Sequence, residues 1–355
     1  MVRVSTSNKP VGIEDVARAA SVSITTVSHA LSGRGQVAIA TREKVRRVAA
    51  ELGYSPNRLA SALRGRRSQI LGFVSDDIAT TPFATRVVLG AQDAAAEHGQ
   101  LLVVVNSNSD RSIESEQIAA LLTAQIDAVV YARMFHQGAI AVPPELTGIP
   151  TSLLDTADEN GVIRSVVPDE EQIGRLATET LLAAGHTRIA HLTVYGVGRV
   201  GVGRQVGYAE AMRAAGLEPV VFTGGDPGDS AAGRSAFASM WEAGALDVTA
   251  VFAFNDPMAM GVYQAAIRAG VSVPDDLSVI GVDDFEPVAA ALLPGLTTVS
   301  LPHYEMGRWG VETSLRILDG TDPGDAPVQT RLPGTLVTRQ SVAPPRRDAP
   351  RRPER

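Results

Sequence analysis

From Gln69 to about residue 342 the sequence alternates short apolar runs with amphipathic stretches, and few architectures satisfy that alternation. Runs at 70–75, 101–105, 127–132, 188–194, 249–254 and 277–282 have the length and β-rich composition of strands. Stretches at 83–98, 113–124 and 256–269 carry helical periodicity between them. Strands separated by helices are joined by crossovers, which gives parallel sheets with helices on both faces. Over this length the pattern predicts two such sheets, with a ligand taken at the C-terminal ends of the strands.

The first 68 residues follow a different pattern. Ile13, Val16, Ala17 and Ala20 fall on one face of a short helix, and Ser21-Val22-Ser23 interrupts it. Ser23 suits the N-cap of a second helix reaching about Leu31, with Val27, Ala30 and Leu31 inward. A third helix is expected from near Thr41, with Val45, Val48, Ala49 and Leu52 on its inner face and Gly53 ending it. Three short helices with a three-residue break describe a helix-turn-helix, or a three-helix bundle without nucleic acid. Charge separates these readings. Residues 1–67 hold 12 Lys+Arg against 4 Asp+Glu, whereas the remaining 288 hold 20 against 35. A basic module on an acidic body points to a polyanionic partner for the module alone.

The stretch Ile13-Glu14-Asp15-Val16-Ala17-Arg18-Ala19-Ala20-Ser21-Val22-Ser23-Ile24-Thr25-Thr26-Val27-Ser28-His29-Ala30-Leu31 resembles the headpiece of the lactose-repressor (LacI/GalR) family, as do Thr41–Val45 and Glu51–Asn57. Further matches are Gly185-His186-Thr187-Arg188-Ile189, Phe254–Gly261, Val273–Gly281 and Pro294–Val299. The resemblance covers about residues 11–342. It implies an all-α helix-turn-helix headpiece at 11–56, a hinge helix and linker at 57–68, and a periplasmic-binding-protein-like sensor domain at 69–342 made of two parallel-sheet lobes. The chain would cross between the lobes three times, lobe 1 taking about 69–165 and 295–322 and lobe 2 about 166–294 and 323–342. The proline- and arginine-rich residues 343–355 read as a disordered tail.

The resemblance also implies roles. Ser23, Ile24, Thr25, Thr26, Ser28 and His29 would face DNA from the second helix. Asn57, Leu63 and Arg64 belong to the hinge, with Leu63 matching a leucine that wedges between base pairs. Arg204 and Asp283 match an effector-binding arginine and aspartate. Asn255, Asp77, Phe83, Arg133 and Asp155 are further effector candidates at the ends of strands. An arginine and an aspartate suit the neighbouring hydroxyls of a sugar, and would also fit a nucleobase or nucleoside. Three residues depart from the family pattern. Gly12 stands for a threonine cap, Ser21 for a turn glycine and His29 for a base-reading arginine. Moreover, Gly224-Gly225-Asp226-Pro227-Gly228 lacks the aromatic platform of many relatives.

These observations predict a transcriptional regulator, acting as a repressor, in which a homodimer on a near-palindromic duplex operator is controlled by a small-molecule effector. A solute-binding receptor shares the sensor fold, but would not carry a headpiece. An enzyme is not expected: no Gly-x-Ser-x-Gly, His-Glu-x-x-His or P-loop occurs. The chain has no cysteine and its six histidines lack ligand spacing, so neither a cofactor nor a metal is expected. The polar N-terminus and the lack of any apolar run near the ~18 residues of a membrane span predict a cytoplasmic, nucleoid-associated protein without a membrane partner.

Overall fold

The computed structural model describes residues 11–32, 35–54, 67–81, 84–134, 138–194, 198–225, 227–244 and 247–346. The hinge candidates Asn57, Leu63 and Arg64 and the sensor candidate Phe83 lie outside the described residues. Two units make up the chain, Met1–Ser68 and Gln69–Arg355.

The first unit contains α1 (Ile13–Ala20), α2 (Ile24–Ser32) and α3 (Ile39–Glu51). Val16, Ala17 and Ala20 of α1 meet Val27 and Ala30 of α2 and Val45 and Ala49 of α3 in one small core. With no side chain at Gly12, the start of α1 relies on Asp15, whose carboxylate accepts the Gly12 N–H at 3.0 Å. Ser21 caps the other end at φ 53°, a left-handed conformation that costs a non-glycine residue about 1 kcal/mol. The third helix starts two residues before the expected Thr41, and its Leu52 is 37% exposed, not inward.

In the second unit the strands are β1 Ile70–Ser75, β2 Leu101–Asn106, β3 Ala128–Ala132, β4 Ala139–Ile140, β5 Thr151–Leu154, β6 Ala157–Asp158, β7 Ser165–Pro168, β8 Ile189–Thr193, β9 Val220–Thr223, β10 Ala250–Ala253, β11 Ser278–Asp283, β12 Thr297–Ser300, β13 Gln329–Leu332 and β14 Thr335–Val337. Between them run α4 Thr85–Glu97, α5 Arg111–Thr123, α6 Glu170–Ala183, α7 Gly198–Ala214, α8 Ser230–Glu242, α9 Asp256–Arg268, α10 Glu286–Ala289 and α11 His303–Asp319. One six-stranded sheet has the order β13-β7-β5-β3-β1-β2 and the other β14-β12-β11-β10-β8-β9, while β4 and β6 form a small pair. All pairings are parallel except β12 with β14. Central strands such as β1, β3, β8 and β10 are buried along their whole length, which is why they read as unbroken apolar runs.

The crossings fall a few residues later than the expected 165/166, 294/295 and 322/323. Ser165–Pro168 and Gln329–Leu332 pair with each other in the first sheet, whereas Thr297–Ser300 pairs with β11 in the second. Hydrogen-bond register decides membership here, and each of these strands completes its ladder before the chain leaves. Two of the crossings are tied together. Asp169 N–H donates to Leu332 O at 2.8 Å, and Gln172 exchanges hydrogen bonds with the Gly334 backbone at 2.9 and 3.4 Å. Residues 343–346, expected to belong to a disordered tail, are held by the second unit. Ala343 N–H donates to Ser278 Oγ at 3.0 Å, His186 bonds Ala343 O at 2.9 Å, and Arg346 reaches Asp275 and Asp276.

Candidate functional site

At the C-terminal edge of the second sheet, α6 and α7 cross at backbone distance. A Cβ on Gly174 would lie 2.1 Å from Arg204 O, and one on Gly203 would lie 2.5 Å from Glu170 Cβ. The missing side chains therefore press Arg204 against Glu170, and both are buried. Arg204 Nε donates to Glu170 Oε2 at 2.7 Å and Nη2 to Oε1 at 3.4 Å, a bidentate pair. Arg204 Nη1 donates to Phe254 O at 2.6 Å, and the guanidinium lies 4.8 Å from the Phe254 ring centre. Asp283, closing β11, brings Oδ1 to 4.0 Å from Arg204 Nη2.

Asp283 holds φ 117°, unusual for a residue with a side chain. Its side chain is only 8% exposed, and among the described residues its carboxyl accepts no hydrogen bond. Burial pushes its pKa up to about 7, against the opposing pull of Arg204. Neighbouring Asp256 is also driven well above the usual carboxylate value by burial, although it accepts Thr298 Oγ1 at 2.6 Å and Phe285 N–H at 2.7 Å. Burial would lower the Arg204 pKa, but Glu170, Asp283 and Asp155 more than offset it and hold the guanidinium charged.

Two groups face this cluster from the first lobe. Asp155 follows β5 at φ 56° and acts electrostatically on Arg204. His303, first residue of α11, is buried, and burial followed by Arg204 and Arg86 drives its pKa down to about 4. The structure thus gathers Arg204, Asp283 and Asp155. Asn255 adjoins them as N-cap of α9, its Oδ1 accepting Met258 N–H at 2.8 Å. Asp77 and Arg133 are engaged within their own lobe. Asp77 accepts Ser109 Oγ at 3.1 Å, while Arg133 pairs with Glu114 at 3.1 Å and Asp76 at 3.7 Å. Sequence reasoning missed Glu170 and His303. The first opens a helix in an Asp-Glu-Glu run that reads as a solvated helix start, and the second is an isolated histidine.

On the helical unit, Ser23 Oγ accepts Thr26 N–H at 3.0 Å and pairs with Thr26 Oγ1 at 2.8 Å. Ser23 thus caps α2, as expected, with the Thr26 hydroxyl bonded to it. Ile24 is 45% exposed and Thr25 is exposed beside it. Ser28 and His29 are half-buried, and a Cβ on Gly35 would lie 2.7 Å from His29 Nδ1, so the imidazole rests against that turn.

Residues 12–57 match the bacterial regulatory proteins of the lacI family, and residues 165–342 a periplasmic binding protein-like domain. The chain is 32% identical over 338 residues to the HTH-type transcriptional regulator DegA of Bacillus subtilis, covering 94% of this chain and 98% of that protein. It is 32% identical over 333 residues to the ribose operon repressor of Escherichia coli, covering 93% and 99%. A crystal structure of the Lac repressor dimer bound to operator and the anti-inducer ONPF matches with a TM-score of 0.76 at 27% identity, over 94% of this chain and all of that one. A helix-turn-helix joined to a two-lobed α/β unit defines a ligand-responsive, DNA-binding transcriptional regulator. The chain belongs to the lacI family of bacterial regulatory proteins.

Proposed function

We propose that the protein is a repressor whose homodimer binds a near-palindromic operator and whose operator affinity is set by a sugar or sugar derivative held between the lobes. The observation that carries this reading is the Asp283 carboxyl, only 8% exposed, 4.0 Å from Arg204 and accepting no hydrogen bond among the described residues. A carboxylate accepts several hydrogen bonds, and a hydroxyl-bearing ligand would supply donors to it. Arg204, Asp283, Asn255 and Asp155 form the effector contacts in this reading, and Arg133 and Asp77 support the first-lobe edge. Relatives named for ribose and sucrose operons, and a related regulator solved with cellobiose at a TM-score of 0.64, favour the sugar class.

Exposed Leu89, Leu101 and Val104 on the first lobe and Leu293 on the second suit burial by another copy. Ile24 and Thr25 reach base edges, with the Ser23–Thr26 cap fixing their helix. Such a protein acts by binding and not by turnover, and it works where the DNA is, in the cytoplasm. Among the described residues no helix is long and apolar enough to cross a membrane.

The test is selection of operators from a random duplex library, followed by titration of the complex with sugars. One near-palindromic consensus is expected, with affinity falling steeply as salt rises and changing when the effector is added. A library that yields no preferred sequence would sink the reading.

A further inference from the structure

Arginine is an anion receptor by default, and a lone arginine between two lobes would suit a carboxylate or phosphate. Arg204 is not in that condition. Of the five N–H bonds of a guanidinium, one each on Nε and Nη2 is committed to Glu170 and one on Nη1 to Phe254 O. The Nε–Nη2 edge, one of the two on which a guanidinium grips an anion in bidentate fashion, already holds one supplied by the protein, and Phe254 O takes one N–H of the other. Glu170 is buried and is pressed into place by the Gly174 and Gly203 contacts, so it does not swing away cheaply. Beside the pair stand two more carboxyl groups, on Asp283 and Asp155. Among the described residues the other cation near this cluster is Arg86, which is solvent-exposed and acts on His303.

We propose that Glu170 sets the charge specificity of the inter-lobe site: as a built-in counter-anion of Arg204, it makes the site take uncharged polyhydroxylated ligands and reject their carboxylated and phosphorylated counterparts. The inference rests on the effector pocket proposed above. Hydroxyls donate to Asp283 and Asp155 and accept the N–H bonds that Arg204 has left. An added anion meets the Glu170 carboxylate, and the Arg204 charge that would receive it is already balanced by that group.

The test uses the full chain and the rise in melting temperature on ligand binding. Matched probes are D-ribose with D-ribose 5-phosphate, and D-glucose with D-glucuronate and D-glucose 6-phosphate. For any sugar that stabilises the wild type, the charged counterpart should bind at least about 100-fold more weakly, the scale of buried like-charge contacts. Glu170→Gln, which keeps the shape and removes the charge, should narrow that ratio at least about tenfold. A wild type that binds the charged member equally well overturns the proposal, and so does an unchanged ratio in a folded Glu170→Gln. If no probe sugar binds, inorganic phosphate decides against chloride at matched ionic strength. A saturable response in Glu170→Gln that the wild type lacks supports the proposal, and the same behaviour in both overturns it. The wild-type measurements need no variant, so a Glu170→Gln that fails to fold does not protect the idea. Failure of the pocket itself has a separate signature, an undiminished sugar response in a folded Arg204→Gln.

Discussion

The two lobes present the same constellation at their strand ends with opposite outcomes. In the first, Arg133 lies 5.2 Å from the Tyr131 ring centre, between Glu114 from a helix and Asp76 after a strand. In the second, Arg204 lies 4.8 Å from the Phe254 ring centre, between Glu170 from a helix and Asp283 ending a strand. The difference is in the aspartates. Asp76 accepts Asp77 N–H at 2.9 Å, Met134 N–H at 3.0 Å and Ser75 Oγ at 3.3 Å, whereas Asp283 accepts none among the described residues. A satisfied cluster is a clamp that shapes its lobe. One of similar composition whose aspartate is less engaged has bonding capacity in reserve, and a ligand can use that capacity.

The largest effects should come from removing each arginine. Arg204→Met strands the buried Glu170 carboxylate and should cost about 3–5 kcal/mol in urea unfolding, together with the effector response. The double variant Arg204→Met with Glu170→Met should recover most of the stability and none of the response, since hydrophobic replacement of a buried pair is often neutral. Arg133→Met leaves Glu114 with the Tyr131 hydroxyl at 3.1 Å and should cost only about 1–3 kcal/mol. Equal losses at the two sites would break the comparison.

How much of this was legible in the sequence follows the same division. The alternation from Gln69 gave the parallel sheets, and the headpiece pattern gave three helices. The short strands at Thr151–Leu154, Val220–Thr223 and Gln329–Leu332 were not legible, because a few residues carry too little periodicity against flanking loops. Arg204 and Asp283 were named through motif resemblance, and the structure brings them to 4.0 Å of each other. Glu170 was not, because its burial depends on two glycines on other turns of a crossing helix pair. Arg133 was named too, but what engages it is Glu114, a mid-helix residue whose partner only tertiary packing reveals.

The aspartates should come next. Asp76→Ala removes the acceptor of two backbone N–H groups and should cost about 1–3 kcal/mol. Asp283→Asn should instead abolish the effector response while leaving effector-free operator binding intact, and it should not lower stability at neutral pH. Its pH dependence has a definite sign. The folded pKa of Asp283 lies at about 7, above its unfolded value, so between the two the folded state holds the extra proton. Wild-type stability from this group is therefore lost as pH rises towards 7. The uncharged amide that replaces it has no such penalty, so the advantage of Asp283→Asn over wild type should be greatest above pH 7 and vanish towards pH 4. His191 and His303, both driven down to about 4 by burial, are common to the two proteins, while Asp256, raised in part by Asp283, loses that repulsion in the variant and adds to its advantage in the same direction. An advantage that grows on acidification would show that Asp283 is already paired.

The smallest effect tests whether the first-lobe cluster is only a clamp. Tyr131 is fully buried and its hydroxyl donates to Glu114 Oε2 at 3.1 Å, while Arg133 holds the same carboxylate. Tyr131→Phe keeps the ring beneath Arg133 and deletes one donor, so about 0.5–1.5 kcal/mol of unfolding free energy should be lost. Glu114 keeps its arginine, and Asp76 keeps its backbone donors, so the lobe edge should hold its shape. Effector affinity, measured by calorimetry on the same variant, should then stay within about twofold of wild type, since no group of the second-lobe cluster has moved and twofold is under half of a 1.4 kcal/mol decade. A larger change would mean that Arg133 shifts when its carboxylate partner loses a donor, and that the shift reaches the ligand. The first-lobe arginine would then belong to the binding site and not to its support, and the contrast between the two lobes would be one of degree.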